Sequence, residues 1–516
     1  MNKLGIGAAL VAVAVIAGCG GGSSQQQSLP YAIGDLAIPN FSGAGVAGSF
    51  DLTYVDQTNH TAQFTDRNNK SVDQINYTSN GATISSPRLN AQFSAGLGFT
   101  GCATATGAPA PGCPTAAPAA STGNSGPNGL HGLVGTTTVI AGDVQKVVVF
   151  NSATGALIAS VATTNPILGN TGFRTDEGCI LPAAKSPIPG VAIAAFSNTS
   201  EAPKTVGAAS RGTTSYTFVR LDTNAVIGEL VMPNSSGQEL CLFDMTGAAA
   251  IMYYTDDGDL ASPNTILGGA NFSANGNLDA LHMPNLIAAF ATAPVSGVNG
   301  SKYIILDLNA NVTADTTAGF WAAGAVGAGA TYAAMNYVTT PATGIWRRVA
   351  QLDPLLAPNT CGTAGMALNT NNNTDVAISC RPGVVGQPLT LIVVNRISGA
   401  LVATPLAGGA DQIQFDAVGN QYLAAGSRWT PTGQAPNSCA ASPANRVCTP
   451  RLNIVDATSF AIKSRTPIGN NAHSMDFDSS LGVAFLPYSN STLPAGCGDC
   501  AGNGFINGGV TLVKFR

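Results

Sequence analysis

Along much of the chain, apolar and polar residues alternate with a period of two, and the alternation recurs as two short runs joined by a turn. Residues 147–159 and 391–403 are the clearest copies, and residues 216–230, 304–312 and 452–464 are looser ones. In each copy, β-branched residues precede an Asp or Asn whose side chain can hydrogen-bond the backbone of its own turn. Each copy is therefore predicted to be a β-hairpin with that residue at its turn.

A second kind of hairpin precedes most of these copies. Residues 410–425 and 472–487 each contain an alternating run, a short turn and another apolar run. Similar segments bring the number of starts to seven, and they begin at Asp51, Asn128, Asp176, Glu239 and Gly365. Two hairpins per repeat give four strands per repeat. The pattern predicts an all-β fold, a seven-bladed β-propeller.

The ends of the chain are predicted to close this propeller. After the seventh start, residues 509–515 supply only one more strand. Residues 31–38 can complete that sheet, and pairing the two terminal strands would hide an open edge. Two stacked β-sandwiches are the alternative fold, but they would not explain one repeating register over the whole chain.

The predicted organisation is one propeller domain over residues 31–516, interrupted by insertions. The insertions are expected at about residues 79–127, 256–298 and 313–360. The first is enriched in Pro, Ala and Thr, and the third contains an Ala/Gly-rich run. Signals for long helices are nearly absent, which agrees with an all-β fold.

Residues 1–18 have the features of a signal peptide. Lys3 is followed by an apolar run of roughly 15 residues, which is too short to span a bilayer as a helix. The segment ends in Ile16-Ala17-Gly18-Cys19, which resembles a bacterial lipobox. Cys19 is therefore predicted to carry the lipid, and two or three acyl chains on one cysteine give stable anchoring.

The residues after the lipobox predict where the protein is held. Residues 19–30 are rich in Gly, Ser and Gln and are predicted to form a flexible tether. Gly20 stands where retention in the inner membrane would favour Asp. The sequence therefore predicts an outer-membrane lipoprotein, with the membrane as a partner through Cys19.

Cysteine usage supports an exported protein. The chain has 11 cysteines, and the ten that follow Cys19 are an even number, which predicts disulfides. The spacing proposes the pairs Cys102–Cys113, Cys361–Cys380, Cys439–Cys448, Cys497–Cys500 and, between two repeats, Cys179–Cys241. A redox role for the Cys497–Cys500 spacing is less favoured, because the segment lacks a βαβ setting.

Composition excludes one large class of partner. Only 9% of residues are charged and the net charge is −5, whereas 45% of residues are apolar. Because there is no basic excess to neutralise phosphates, nucleic-acid binding is not expected.

The repeats resemble the YVTN/NHL-type β-propellers of secreted and periplasmic bacterial proteins, a group that includes lactonase-like propellers. The best-matching segments are residues 50–56, 65–69, 125–129, 408–411 and 471–474. The resemblance covers most of the chain after residue 51, apart from the insertions, and it implies a propeller fold. Lactonase-like propellers hold a catalytic divalent metal in the central channel through carboxylate and amide ligands, so the resemblance also implies a candidate site there.

Residues at the starts of the innermost strands are predicted to converge at one mouth of the channel. These candidate channel or ligand-binding positions are Asp51, Asn128, Asp176 or Glu177, Glu239, Gly365, Asp411 and His473. Oxygen atoms suit Ca²⁺ or another divalent metal, and the candidate metal ligands are Asn128, Glu177, Glu239 and Asp411. His473 is the candidate catalytic base.

Each of these candidate residues also has a purely structural interpretation. The polar ring in the channel can simply be hydrated, and Asp or Asn at a strand start can cap a local turn. His131 either faces the channel or is a hydrogen-bonded core histidine.

Two functions remain in competition at this point. The first is a non-enzymatic binding or scaffolding module for a protein or glycan partner, which is favoured because no complete catalytic motif is present. The alternative is a metal-dependent hydrolase of lactones or related esters with its site in the channel.

Overall fold

The computed structural model describes residues 30–38, 50–67, 69–80, 83–94, 96–100, 126–163, 174–186, 190–199, 214–232, 238–244, 251–256, 302–307, 362–381, 389–395, 401–426, 451–469, 472–490 and 507–516. Within these ranges the chain forms 27 β-strands and one turn of 3-10 helix, Ala183–Lys185. None of the described helical residues makes a helix long and apolar enough to cross a membrane.

The lengths of the connections between strands differ widely within the sheets, from a few residues to the 45 residues between β15 and β16. In chain order they are β1 (Tyr31–Ala37), β2 (Phe50–Asp56), β3 (Thr61–Asp66), β4 (Ser71–Asn80), β5 (Thr83–Phe93), β6 (Leu130–Gly132), β7 (Thr138–Asp143), β8 (Lys146–Asn151), β9 (Leu157–Ala162), β10 (Arg174–Leu181), β11 (Ile193–Thr199), β12 (Thr214–Arg220), β13 (Ala225–Met232), β14 (Gln238–Asp244), β15 (Ile251–Asp256), β16 (Lys302–Asp307), β17 (Gly362–Leu368), β18 (Asp375–Arg381), β19 (Thr390–Asn395), β20 (Leu401–Pro405), β21 (Ile413–Asp416), β22 (Gln421–Gly426), β23 (Arg451–Asp456), β24 (Ile462–Pro467), β25 (Asp476–Asp478), β26 (Val483–Asn490) and β27 (Asn507–Lys514).

The described strands form six four-stranded antiparallel sheets and one three-stranded sheet. In chain order the sheets are β2 to β5, β6 to β9, β10 to β13, β14 to β16, β17 to β20, β21 to β24, and β25-β26-β27-β1. Within each of the first six sheets, strands adjacent in sequence are adjacent in space. The repeated pair of hairpins predicted from the sequence is therefore present in the five sheets whose four strands are consecutive in the chain.

Apolar side chains join successive sheets into a ring. Each of five buried apolar clusters contains residues from two neighbouring sheets. Members from the inner strands are Leu52 and Leu130 (sheets one and two), Ile140 and Ala194 (two and three), Ala377 and Tyr422 (five and six), Leu423 and Ala484 (six and seven), and Phe485 and Phe64 (seven and one). The fourth sheet lies between the third and the fifth, since β14 packs against both β10 and β17. The protein is an all-β propeller.

The two ends of the chain close the ring, as the sequence predicts. β1 pairs antiparallel with β27, with Leu36 opposite Val510, and so becomes the outer strand of a sheet whose other strands are C-terminal. Leu36 and Ile38 pack against a buried apolar cluster that includes Phe50 and Leu512. Pairing and packing therefore hold the N-terminal strand in place.

Asp and Asn side chains fix the hairpin turns in the predicted way. The Asn151 side-chain oxygen accepts hydrogen bonds from the backbone N–H groups of Ala153 and Thr154, at 2.9 and 3.1 Å. Asp456 accepts from Thr458 and Ser459 in the corresponding turn, at 3.0 and 2.8 Å. These bonds satisfy donors that the strands cannot use, because they lie beyond the ladder.

A disulfide joins Cys179 on β10 to Cys241 on β14, which is the pair expected between two repeats. Cys380 is also disulfide-bonded. The other predicted disulfide cysteines, Cys102, Cys113, Cys361, Cys439, Cys448, Cys497 and Cys500, lie outside the described residues, as do the signal peptide and Cys19.

The expected insertion at residues 79–127 begins later than the sequence indicates. β5 (Thr83–Phe93) is a regular outer strand that pairs with β4, so the first part of that segment belongs to the sheet. An outermost strand is half exposed and can accommodate a proline such as Pro87, so its composition looks like that of a loop. Most of the other two expected insertions lies outside the described residues.

Candidate functional site

The first strands of the seven sheets surround one cavity of about 990 Å³. Each of these strands, or the residue just before it, contributes to the wall, through Thr53, His131, Ile180, Leu242, Met366, Gln412 and Asp476 among others. These seven strands are therefore the innermost strands of their sheets. The space that they enclose is called the channel, and the cavity within it the channel cavity.

At the strand-start end of the channel, buried charges pair with one another. Arg67 binds Asp51 and Arg174 binds Asp176, each with a nitrogen–oxygen distance of 2.5 Å. The Nε2 atom of His473 lies 3.6 Å from a carboxylate oxygen of Asp411. We call these six residues the start cluster. Their side chains are nearly all covered, so this end holds two buried ion pairs and one histidine–carboxylate contact.

The start cluster behaves as one electrostatic unit although its members are far apart in sequence. Burial alone would raise the pKa of Asp51, but the Arg67 guanidinium, with Arg174 and His473 nearby, holds that pKa below its ordinary value. Asp411 is also close enough to act on Asp51, in the opposite direction. The structure therefore brings Asp51, Asp411 and His473 together, where the sequence expects them to meet.

Asn128 and Glu177 are buried in backbone contacts at the same end. The Asn128 backbone N–H donates to the carbonyl of Gly142 at 2.7 Å, and its side-chain amide donates to the carbonyl of Thr175 at 3.4 Å. The Glu177 carbonyl accepts from the Ser197 hydroxyl at 3.0 Å. These contacts hold neighbouring strands together.

Two glycines make this close packing feasible. A Cβ atom at Gly129 would collide with the backbone of Asp176, and one at Gly365 would collide with that of Asp411. The Gly365 N–H donates to the Ala410 carbonyl at 3.1 Å. Gly365, at one of the seven predicted start positions, therefore serves the approach of two innermost strands.

The predicted metal ligands are not gathered into a metal centre in the described part of the chain. No group of three or more His, Cys, Asp or Glu side chains there lies close enough together to hold a metal ion. The side chain of Glu239 lies outside the described residues, so its part in a metal site stays a prediction. His473 faces the Asp411 carboxylate, and its backbone carbonyl accepts from the N–H groups of Asp411 and Gln412.

Side chains from two other strands seal the inner edge of β2. The Gln412 amide accepts from the Thr53 N–H at 3.1 Å and donates to the Thr53 carbonyl at 2.9 Å. A carboxylate oxygen of Asp476 accepts from the Val55 N–H at 2.7 Å. An innermost strand has no strand partner on its channel side, so these side chains satisfy its free backbone groups.

The channel cavity is mainly apolar. Its wall includes Leu130, Leu133, Ile180, Leu242, Met366, Leu368, Ile413 and Phe415. Among its described wall residues, the formally charged ones are Asp222 and Asp476, with no lysine or arginine. The cavity therefore differs from the start cluster, where each carboxylate lies beside a basic side chain.

Two titratable side chains in the cavity wall have strongly shifted pKa values. Burial raises the pKa of Asp476 to about 7, although the Val55 and Phe477 N–H groups favour its ionised form. Burial lowers the pKa of His131 to about 4, although a backbone hydrogen bond with Gly178 favours the charged form. His131 therefore lines the channel as a neutral ring, and its Nε2 atom is buried without a hydrogen-bond partner among the described residues.

The turn after β6 forms part of the rim of the cavity, because Leu133, Val134 and Thr136 line it. In that turn the Thr136 N–H and hydroxyl both donate to the Leu133 carbonyl, at 3.1 and 2.8 Å. In the turns after β2, β21 and β25, Asp56, Asp416 and Asp478 each accept from the backbone N–H groups two and three residues later. Val134 lies on the rim, in the turn after β6, and is 84% exposed. A fixed rim with an exposed apolar side chain is suited to contact with a partner.

Sequence analysis did not single out Gln412, Asp476, Arg67 or Arg174 as members of the channel. The signal for Gln412 and Asp476 is a polar residue within an otherwise alternating innermost strand. This signal is weak, because Gln414 lies in the same alternating run as Gln412 but makes no hydrogen bond to β2 among the described residues.

Comparison with known proteins gives only distant similarity to solved structures. No family model matches the chain, and no curated protein matches it. Hydrazine synthase of Kuenenia stuttgartiensis is 10% identical, with a TM-score of 0.35, over 72% of this chain and 91% of that one. The structure of U3-55K is 7% identical, with a TM-score of 0.44, over 93% and 100% of the two chains. The Dos1 propeller is 7% identical, with a TM-score of 0.43, over 94% of this chain and 95% of that one. The fold assignment therefore rests on the sheets and pairing of this chain itself.

Proposed function

We propose that this protein is an outer-membrane-anchored lipoprotein whose propeller is a binding module, with a protein partner docking at the mouth of the channel cavity. The channel cavity is the observation that carries this proposal. It is large and mainly apolar, and hydrogen bonds fix the turn at its rim that contains Val134. Binding sites are typically concave and apolar with a few polar groups.

The proposal favours a protein partner over a glycan. The exposed Val134 and the apolar wall offer surface that a protein side chain can bury. The Asp51, Asp176 and Asp411 carboxylates of the start cluster lie at the other end of the channel and already have partners in the protein. A non-catalytic function therefore agrees better with the described residues than a metal-dependent hydrolase does.

We also infer that all seven sheets are blades of one ring. The three-stranded sheet β14-β15-β16 contributes its first strand to the channel as the other six sheets do. A ring of seven would place the fourth blade between the third and fifth, where β14 packs.

Anchoring through Cys19 is supported by the lipobox and by the disulfides, which persist in oxidising compartments. Replacing Cys19 by Ala should abolish incorporation of labelled palmitate and leave the signal peptide uncleaved. Palmitate incorporation by Cys19→Ala would contradict the assignment of the anchor.

The binding function is tested with the full chain purified in detergent and exposed to an extract of cell-envelope proteins. Val134→Glu places a charge on the rim of the cavity. Leu157→Glu is the matched control, because Leu157 is 44% exposed but lies on the outermost strand β9. Retained proteins are quantified by mass spectrometry.

We expect one partner to be retained by the unaltered chain and by Leu157→Glu, with retention at least about tenfold lower for Val134→Glu, as for removal of a central contact. Equal retention by both variants, or no specific retention by any chain, would overturn the proposal. Binding to a glycan array with the same dependence on Val134 would replace the protein partner by a glycan.

A further inference from the structure

The two carboxylates of the channel cavity differ in their surroundings. Asp222 is bound by Arg220 at 2.5 Å, and both side chains are about a third exposed, at 39% and 30%. Asp476 makes no ion pair with a described lysine, arginine or histidine. A carboxylate in an apolar cavity without a cation nearby is costly to keep charged, unless a ligand supplies that cation.

The Asp476 carboxylate is held in a fixed orientation. One oxygen accepts from the Val55 N–H at 2.7 Å, and the other accepts from the Phe477 N–H at 2.8 Å. An ionised carboxylate has about four acceptor positions, so two backbone bonds leave capacity for further donors. Because Asp476 lies in the cavity wall, a ligand in the cavity can approach it.

We infer that the channel cavity binds an ammonium or guanidinium group carried on an apolar stem, with Asp476 as its counter-ion. This inference rests on the proposed binding function and names the chemistry of the group that enters the channel. The stem contacts the apolar wall, which includes Met366, Leu368 and Phe415. A partner's basic side chain and a free amine share this chemistry.

The shape and polarity of the cavity agree with such a ligand. A volume of about 990 Å³ is at the upper end of the usual range for ligand pockets, so it can admit a loop tip as well as a small amine. Tyr54 also lines the cavity and lies close enough to Asp476 for that carboxylate to raise the tyrosine pKa. An aromatic ring beside a carboxylate adds attraction for a cation.

The titration of Asp476 provides a second readout. Its pKa of about 7 means that part of the population is protonated at neutral pH, and a bound cation would favour the ionised form. Affinity for a cation should therefore rise as the pH increases from 6 to 8. The other titratable groups around it are Asp478 on its own strand, Tyr54 and Asp56 on β2, Tyr77 on β4, and His60 beside Asp478.

The test uses the full chain in detergent and calorimetric titration with soluble probes. Butylammonium, butanol and butyrate present one apolar stem with three end groups. The peptide Gly-Leu-Lys-Leu-Gly and its norleucine analogue represent a partner's loop. Tighter binding of the lysine peptide than of butylammonium would assign the group to a partner protein, and the reverse order would assign it to a free amine.

We expect butylammonium to bind at least tenfold more tightly than butanol or butyrate at pH 8. Asp476→Asn should remove this preference, whereas Asp456→Asn, the same change at a carboxylate outside the cavity wall, should alter it less than twofold. Asp476→Glu keeps the charge and should retain the preference, which separates a lost counter-ion from a damaged fold. Thermal unfolding of each variant checks its folding.

Equal affinity for butylammonium and butanol, or a preference that survives in Asp476→Asn, would overturn the inference. The proposed function fails separately, when the envelope partner is retained regardless of Val134→Glu. A partner that depends on Val134 together with no cation preference would mean that the docking surface is right and the cation site is wrong.

Discussion

At the scale of single residues, some channel residues are predictable because they occupy the same position in each repeat. Others are not, because their hydrogen bonds join residues far apart in sequence. Asp51, Asp411 and His473 each stand near the start of an innermost strand, so a repeat count is enough to place them together. Gln412 reaches β2 across 359 residues and Asp476 across 421. Those bonds exist only because the ring closes, and no local pattern encodes them.

A second buried carboxyl group, Asp73, leads to a prediction about stability. Burial and the neighbouring Asp66 carboxylate raise the pKa of Asp73 well above its ordinary value of 3.8. The protonated form is therefore the one that the fold prefers. Ser71 donates to one oxygen at 2.6 Å, and Gln92 contacts the other at 3.3 Å.

The stability contributed by Asp73 is complete below its unfolded pKa and is lost as the pH rises through its raised folded pKa. Asp73→Asn imitates the protonated form, so it should be more stable than the unaltered protein at pH 8. The difference should vanish near pH 4. Urea unfolding at both pH values measures it.

Asp73→Leu is the control, since it removes the charge together with the hydrogen bonds. It should be less stable than Asp73→Asn at both pH values because the Ser71 hydroxyl loses its acceptor. An Asn variant that is less stable than the unaltered protein at pH 8 would show that Asp73 is ionised in the fold.

At the scale of elements, inner strands were easier to predict than outer ones. β22 is buried at every position and β8 is buried in its interior, so their apolar character is plain in the sequence. β9 is mostly exposed, and β5 contains Pro87 and several polar residues. An outermost strand needs only backbone pairing on one side, so its side chains carry little pattern.

The terminal strand pair predicts the effect of one substitution. Gly509 lies between Ala37 of β1 and Tyr488 of β26, and a Cβ atom there would collide with the Leu36 carbonyl. Gly509→Val should push β1 away and destabilise the protein by about 2 kcal/mol or more. Limited proteolysis should then cleave within residues 31–37 much faster.

Thr511→Val, two positions further along β27, is the matched control. Its hydroxyl is buried without a hydrogen-bond partner, so a valine of similar shape should not destabilise the strand. Equal protease resistance of Gly509→Val and Thr511→Val would mean that β1 does not depend on close contact with β27.

At the scale of the whole molecule, pairing of β1 with β27 closes the propeller. Each sheet buries its faces only against its neighbours, so a ring leaves no end sheet exposed. The sequence could predict this closure because the last repeat is one strand short and a spare strand lies near the N-terminus. The sequence could not specify which contacts join each pair of sheets, because those depend on side-chain packing between repeats.

The joint between the third and fourth sheets carries the last prediction. The Cys179–Cys241 disulfide connects their innermost strands and closes a loop of 62 residues. By the loop-entropy argument, removing such a cross-link costs about 2–4 kcal/mol. The double variant Cys179→Ala, Cys241→Ala should therefore unfold at lower denaturant, and its amide exchange should accelerate first in β10 and β14. Strands β22 and β23 lie in a different part of the ring and serve as the internal reference. Exchange that accelerates equally in all four strands would mean that the ring opens as one unit, and the disulfide would then stabilise the whole circle rather than this joint.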